Sequence, residues 1–188
     1  SEVVTIPFTS PIKVTGGVKG RRFGLHIDIG CTYSIMDEGW LRRNQHIFFG
    51  PGSPVQLLAF EPEQAPALGV MLGGARMQAS YILRNVPLQL GDGIYWVNFL
   101  VMPHSIFDVA LGLEFVDAYA VRVSTKAYGL PHTGPQLVIP TPRSFCRREV
   151  QESWEAGKPY HINKVAGTFA ISRERFSTVP VDPRVLSA

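Results

Sequence analysis

The chain has 188 residues, of which 45% are apolar and 18% charged, and this balance excludes a wholly disordered protein and fits a folded domain with its own core. The net charge of +3 includes paired bases at 21–22, 42–43 and 147–148 that are separated by apolar sequence, so we expect a solvated surface and no nucleic-acid site. The longest apolar runs, such as residues 96–102, are too short to span a bilayer, so we expect no membrane partner.

The glycine and proline content predicts the fold class. The chain holds 18 glycines and 15 prolines, which argues against long helices and is typical of many short strands joined by turns. We therefore expect an all-β protein.

Cysteines and histidines give little sign of a metal or redox site. The 2 cysteines, Cys31 and Cys146, lack a paired spacing, and residues 1–4 show no secretory segment, so we expect an intracellular, cytoplasmic and reduced chain. The 5 histidines are scattered, so no zinc site is expected. There is also no phosphate-binding loop, dinucleotide fingerprint or Gly-x-Ser-x-Gly turn, and no cofactor is predicted.

The first predicted element is a hairpin that ends at a carboxylate. Residues 3–14 alternate apolar and polar side chains, the glycine-rich stretch 16–20 supplies a turn, and residues 22–27 form a strand that runs into Asp28. One irregular helical turn is expected over residues 37–43, weakened by Gly39.

The middle of the chain predicts further strands. Prolines at 51, 54, 62 and 66 surround an apolar run at 55–60, and residues 77–102 form two or three strands broken by the turn Gly91-Asp92-Gly93. A short helix over 113–117 and a strand over 119–123 follow.

The chain changes character after Pro131. Thr141-Pro142 is a helix-start signal, and Cys146, Val150 and Trp154 have helical spacing, which predicts one short amphipathic helix that ends near Gly157. A strand is expected within residues 164–172. We predict two parts: a domain over residues 1–131, and an extension over 132–188 that packs on it or serves as a linker.

Two motifs carry a resemblance to a known family. The first is the sequence Asp28-Ile29-Gly30-Cys31-Thr32-Tyr33-Ser34-Ile35-Met36, and the second, about 80 residues later, runs from Phe99 through Asp108-Val109-Ala110-Leu111-Gly112 to Val116. In this order they resemble the catalytic loop and the later apolar-Asp-apolar-Ile-Leu-Gly segment of retropepsin-like aspartic proteases, the kind found in retroviruses and gypsy-type LTR retrotransposons. The resemblance covers residues 3 to 130.

The resemblance implies a fold and an activity. It implies a closed, barrel-like β-fold with a flap hairpin, whose tip we place at 61–69 or, alternatively, at Gly73-Gly74. Asp28 would be the catalytic residue, within an active-site loop that includes Ile29, Gly30, Cys31 and Thr32. The candidate substrate-binding residues are Leu57, Phe60, Glu61, Ile82 and Ile106. Asp108 would have a local structural role, with Leu111-Gly112 packed beneath the loop.

The chemistry of this family requires two carboxylates about 3 Å apart that share one proton. The chain contains one copy of the full loop motif, so Asp28 would meet its symmetry mate in a C2 homodimer. The expected activity is an endopeptidase that processes a polyprotein, in the cytoplasm or within a virus-like particle.

Ile29 and Cys31 differ from the family pattern. The family has Thr or Ser at the position of Ile29, and that hydroxyl bonds across the dimer axis, whereas Ile29 would instead pack against its mate. The alternative function is therefore a catalytically inactive retropepsin-like module for dimerisation or peptide binding. Cys31 stands where the family has a buried alanine, and we expect an inert core thiol rather than a nucleophile paired with a distant histidine.

Overall fold

A computed structural model describes residues 3–8, 12–61, 69–72, 75–124, 136–140 and 178–187. The strands in these ranges are β1 (Val3–Pro7), β2 (Lys13–Val18), β3 (Arg21–Ile27), β4 (Ile35–Asp37), β5 (Gln56–Phe60), β6 (Gly69–Leu72), β7 (Ala75–Gln78), β8 (Tyr81–Leu90), β9 (Gly93–Met102), β10 (Val109–Leu111), β11 (Arg122–Ser124), β12 (Gln136–Pro140) and β13 (Thr178–Val181). The helices are α1 (Glu38–Arg43), α2 (Gln45–Phe48), α3 (Leu113–Ala118) and a 3₁₀ helix, Pro183–Ser187. None of these helices is long and apolar enough to cross a membrane.

Six strands form a closed barrel. Their order is β8, β2, β3, β10, β4 and β9, and β9 pairs back onto β8. β10 lies between β3, to which it is parallel, and β4, to which it is antiparallel. Closure pairs both edges of the sheet, so no barrel edge is left open. The prediction of an all-β, barrel-like fold is confirmed at this level.

The hairpin that leads to Asp28 is formed by β2 and β3. The observed turn is shorter than the turn predicted over 16–20. β2 continues through Gly16 and Gly17, and the chain reverses at Lys19 and Gly20, with φ angles of 53° and 78°. Positive φ at both central residues suits the tight turn of a twisted two-strand hairpin. β1 is not part of this hairpin, since it pairs with β12.

Two later predictions agree with the structure. β8 ends at Leu90 and β9 begins at Gly93, as the turn signal at 91–93 indicates. α3 occupies residues 113–118, close to the predicted range. The following strand begins later than predicted, at Arg122, because Tyr119 caps α3 and Ala120 has a φ of 51°.

The apolar side chains form two clusters. The main cluster fills the barrel with large buried residues from most of the strands and from α3, such as Leu25, Phe99 and Phe115. The second cluster is smaller and contains Ile35, Leu58, Ala79, Ile82, Leu100 and Met102. Cys31, Tyr33, Phe60 and Met77 pack against the second cluster, which therefore lies beside the loop that follows Asp28.

Residues 178–187, called the C-terminal segment below, return to the barrel. β13 is antiparallel to β5, and Leu186 in the 3₁₀ helix is only 2% exposed within the main cluster. β12 pairs with both β1 and β11. Parts of the predicted extension 132–188 thus pack on the 1–131 region, and the boundary itself stays a prediction. The helix and strand predicted within 141–157 and 164–172 lie outside the described residues.

Candidate active site

Asp28 stands at the end of a strand that is paired on both sides. β3 pairs with β2 and, in parallel, with β10, where Ile27 is opposite Leu111. The Asp28 amide donates to the Leu111 carbonyl over 2.8 Å, so the backbone remains fixed one residue beyond the strand. Period-two burial of Leu25 and Ile27 in the core sets the direction of the strand and leaves Asp28 half-buried at its end.

The loop after Asp28 holds the carboxylate. The Gly30 amide donates to Asp28 Oδ1 over 3.0 Å, and the Cys31 amide donates to the Asp28 carbonyl over 3.2 Å. A Cβ on Gly30 would lie 3.2 Å from Asp28 Oδ1, a tight contact that glycine avoids.

The segment that joins β10 to α3 supports the loop from below. Leu113 N donates to the Cys31 carbonyl over 2.8 Å, and Glu114 N donates to the Thr32 carbonyl over 3.0 Å. Gly112 N donates to the hydroxyl of Ser34, a side chain that is 2% exposed. The predicted packing of Leu111-Gly112 beneath the Asp28 loop is confirmed.

Asp37 has the same Asp-x-Gly spacing as Asp28 but a structural role. Its Oδ2 accepts from Trp40 N over 3.0 Å and caps α1, while its Oδ1 accepts from Ser105 N over 3.0 Å. The Asp37 amide also donates to the carbonyl of Asp108 over 2.8 Å. One residue therefore ties α1 to the segment that follows β9.

An open cleft of about 390 Å³ lies beside Asp28. Its lining combines the Asp28 loop with residues from distant parts of the chain. The apolar lining residues include Ile35, Met77, Met102, Ile106 and Phe107, and the polar ones include Thr32, His104 and Ser105. The site thus presents a carboxylate against a mostly apolar wall.

The five residues proposed for substrate binding are placed differently from one another. Ile106 lines the cleft and is 76% exposed. Leu57 and Ile82 are 1% and 2% exposed and pack in the main and second clusters, so neither lines the cleft. β5 pairs with β8 around these two residues, and both side chains pack against apolar neighbours. Phe60 packs on the second cluster, and Glu61 is half-buried just after β5.

Several residues that line the cleft are not predicted from the sequence. His104, Ser105 and Phe107 adjoin Ile106 in sequence, and Asp37 holds their segment at the cleft, but no periodic pattern marks them. Met77 comes from the β6–β7 hairpin. That hairpin pairs as far as Leu72 opposite Ala75, and the alternative flap tip at Gly73-Gly74 lies outside the described residues. Residues 62–68 of the first placement lie outside the described residues.

Two groups beside the cleft have displaced pKa values. Burial raises the pKa of the Cys31 thiol, and the nearby Asp28 charge adds to this, which disfavours the thiolate. The expected core position is met only in part, because Cys31 packs against the second cluster but is half-buried and lines the cleft. Burial and the Lys13 charge lower the pKa of His26, and the Asp108 carboxylate opposes them. The His26 ring stacks on Phe107, with centroids 4.0 Å apart, and so supports a cleft residue from behind.

In the described part of the chain, no group of three or more His, Cys, Asp or Glu side chains is placed to hold a metal ion. No protein-family model matches the sequence, and a search of curated proteins finds no significant relative.

The contact of Gly112 with the loop yields a stability prediction. A Cβ at Gly112 would lie 2.3 Å from the Tyr33 carbonyl oxygen, and backbone cannot rotate away as a side chain can. We expect Gly112→Ala to lower the free energy of unfolding by roughly 3 kcal/mol or more. Gly50→Ala is the matched control, because a Cβ there meets nothing within 4 Å. Equal stability of the two variants in denaturant unfolding would contradict this packing.

His26 yields a pH prediction. Its folded pKa lies below the ordinary 6.5, so the unfolded chain binds the proton more readily and the contribution of His26 to stability is lost as pH falls below 6.5. We expect the free energy of unfolding to fall more between neutral pH and about pH 5 in the parent chain than in His26→Gln. An equal fall in both proteins would show that His26 does not contribute.

Proposed function

We propose that this chain is a retropepsin-like aspartic endopeptidase that acts as a homodimer with one catalytic carboxylate per subunit. The observation that carries the proposal is the setting of Asp28: a carboxylate at the end of a barrel strand, bonded by the Gly30 amide and open to an apolar cleft. The two sequence motifs that suggested the family meet in space, since the segment around Gly112 hydrogen-bonds the Asp28 loop.

The dimer follows from the number of carboxylates. An aspartic protease shares one proton between two carboxyl groups, and this chain has one loop of the required sequence. A twofold axis beside Asp28 would bring the same loop from a second copy opposite the first. Ile29 supports this arrangement, because it is 67% exposed in the single chain beside a half-buried Asp28, and Leu113 nearby in the supporting segment is 41% exposed.

The cleft suits an extended peptide with apolar side chains. Met102 and Ile35 belong to the second cluster and give one wall, and Ile106 with Phe107 gives another. The β6–β7 hairpin contributes Met77 and would cover the bound peptide. A polyprotein segment in extended conformation is the substrate class that the resemblance implies.

The chemistry needs a water between the two carboxyl groups. One ionised Asp28 takes a proton from this water as its oxygen attacks the peptide carbonyl carbon, while the protonated Asp28 of the second copy gives its proton to the carbonyl oxygen. The resulting gem-diol then collapses: a diol hydroxyl returns its proton to a carboxylate, the C–N bond breaks, and the amine leaves with a proton from the other carboxyl. No covalent enzyme intermediate is formed.

A second candidate function is an inactive dimerisation or peptide-binding module. The observation that favours it is Ile29, an exposed apolar side chain where the protease family has a hydroxyl that bonds across the dimer axis. In this case the cleft would bind an extended segment without cleaving it.

Removal of the Asp28 carboxylate distinguishes cleavage by this chain from cleavage by a contaminating protease. We expect Asp28→Asn to abolish cleavage of a peptide library, because a neutral amide cannot take the proton from water. Asp92→Asn, in the exposed β8–β9 turn, is the matched control and should cleave normally. Cleavage by the parent chain should also rise more than linearly with protein concentration and stop with a statine inhibitor. Full activity of Asp28→Asn would reject the assignment.

A substitution at Ile29 distinguishes the two candidate functions. Because Ile29 is exposed in the single chain, Ile29→Thr leaves no internal cavity, and its hydroxyl can bond across the axis. We expect a lower dimer dissociation constant and a higher turnover, with roughly 1 kcal/mol gained per new hydrogen bond. Ile94→Thr, at an isoleucine that is 42% exposed on β9, serves as control. A weakened dimer with no turnover at acidic or neutral pH would favour the inactive module.

A further inference from the structure

A second cavity, called the fork cavity below, lies between β1 and β2, which belong to different sheets. It has a volume of about 390 Å³ and is lined by residues 5–7 of β1, residues 15–17 of β2, Gly20, Arg22, Gln89 and Gly91. It shares no lining residue with the Asp28 cleft. Arg22 and Asp28 are separated by the length of β3, roughly 20 Å at the rise of an extended strand. The two cavities are therefore separate.

Two strand edges border the fork cavity. Among the described residues, β1 is the outermost strand of its sheet and pairs through one edge, with β12. β2 pairs with β3 along its whole length, whereas its other edge pairs with β8 at Gly17 alone. Residues of an antiparallel strand direct their backbone groups alternately to its two edges. One of residues 5 and 6, and one of residues 15 and 16, therefore presents its amide and carbonyl to the unpaired edge, which is the usual place for addition of a further strand.

Backbone atoms form much of the surface of the fork cavity. The lining positions 16, 17, 20 and 91 are glycines, and Thr5 and Thr15 contribute short hydroxyl side chains. A glycine within a strand often marks a place where a ligand or another backbone approaches closely. The fork cavity is therefore suited to a main chain in extended conformation.

The fork cavity is also positively charged at one side. Arg22 lines it and is exposed, and no carboxylate of the described residues forms an ion pair with Arg22. Three further cations, Lys13, Lys19 and Arg21, are exposed on the same β2–β3 hairpin, which contains no Asp or Glu. Asp92 lies in the neighbouring β8–β9 turn, but no acidic side chain is among the described residues that line the cavity. This charge favours an anionic ligand.

We propose that the fork cavity binds a short acidic segment of a partner protein in extended conformation. The segment adds as a strand along the edges of β1 and β2, and its Asp or Glu side chain pairs with the guanidinium of Arg22. Residues 5–7 and 15–17 offer edge for about three residues of such a strand. Binding here is independent of the proposed proteolysis, because it uses neither Asp28 nor the residues that line its cleft.

The first test compares two peptides on the full-length chain. The probe is the blocked pentapeptide Thr-Val-Glu-Val-Thr, and its matched control has Gln in place of Glu. In calorimetric titration at low salt, we expect the Glu peptide to bind about fivefold more tightly, because only its carboxylate can pair with Arg22. The difference should shrink as salt is added. Equal affinities at low salt would overturn the recognition of an acidic segment.

A pair of protein variants tests the position of the charge. Arg22→Gln should remove the preference for the Glu peptide. Arg21→Gln is the matched control, because it loses the same charge at an exposed neighbour that does not line the fork cavity, and it should keep the preference. An equal loss in both variants would show attraction to the hairpin as a whole and would overturn this site.

N-methylation of the peptide tests the strand pairing. Methyl groups on alternate backbone nitrogens of the Glu peptide remove amide donors and leave its side chains in place, so we expect affinity to fall about tenfold. Undiminished binding of the methylated peptide would overturn strand addition. Inorganic phosphate should compete only weakly, and full displacement of the peptide by phosphate at equal concentration would show that the site takes a free anion instead.

Amide NMR signals locate the bound peptide. We expect the signals of residues 5, 6 and 15–17 to shift during titration with the Glu peptide, because their backbone groups border the fork cavity. Shifts confined to Thr32 and Ile106 would place the peptide in the Asp28 cleft and would overturn the proposal. This outcome is independent of whether the chain cleaves peptides, since titration measures binding alone.

Discussion

The approach of Gly112 to the Tyr33 carbonyl is the constraint on which the candidate site depends. It allows the β10–α3 segment to lie directly beneath the Asp28 loop, where its amides bond the Cys31 and Thr32 carbonyls. β10 can then insert between β3 and β4, which closes the barrel and fixes Asp28 through Leu111. The position of the carboxylate is therefore set by backbone contacts, together with the buried Ser34 hydroxyl that accepts from the Gly112 amide.

The cleft is assembled from parts of the chain that are far apart in sequence. Asp37 links α1 to the segment that carries Ser105 and Ile106, and the His26 ring supports Phe107. The second cluster forms the apolar layer behind Ile35 and Met102. The lining combines these apolar side chains with the polar groups of Asp28, Thr32, His104 and Ser105.

The features that the sequence predicted well are those with local signals. The turn at Gly91, the α3 helix and the loop around Asp28 each depend on neighbouring residues, and each lies where it was expected. The partner of β1 is β12, more than a hundred residues away, and such pairings leave no local pattern. The candidates Leu57 and Ile82 are buried in the apolar clusters and do not line the cleft. Apolar alternation does not tell which side of a branched sheet faces a cavity. The family assignment, the dimer and the proteolytic activity stay predictions.

Pro180 lies in β13, the outermost strand of its sheet. Proline has no amide hydrogen to donate, so a strand that contains it is a poor template for a further strand. The C-terminal segment covers the otherwise unpaired edge of β5, and its own outer edge is less able to pair with a further strand. Growth of the sheet into fibrous aggregates is opposed at this point, and colloidal stability of the folded chain at high concentration is favoured.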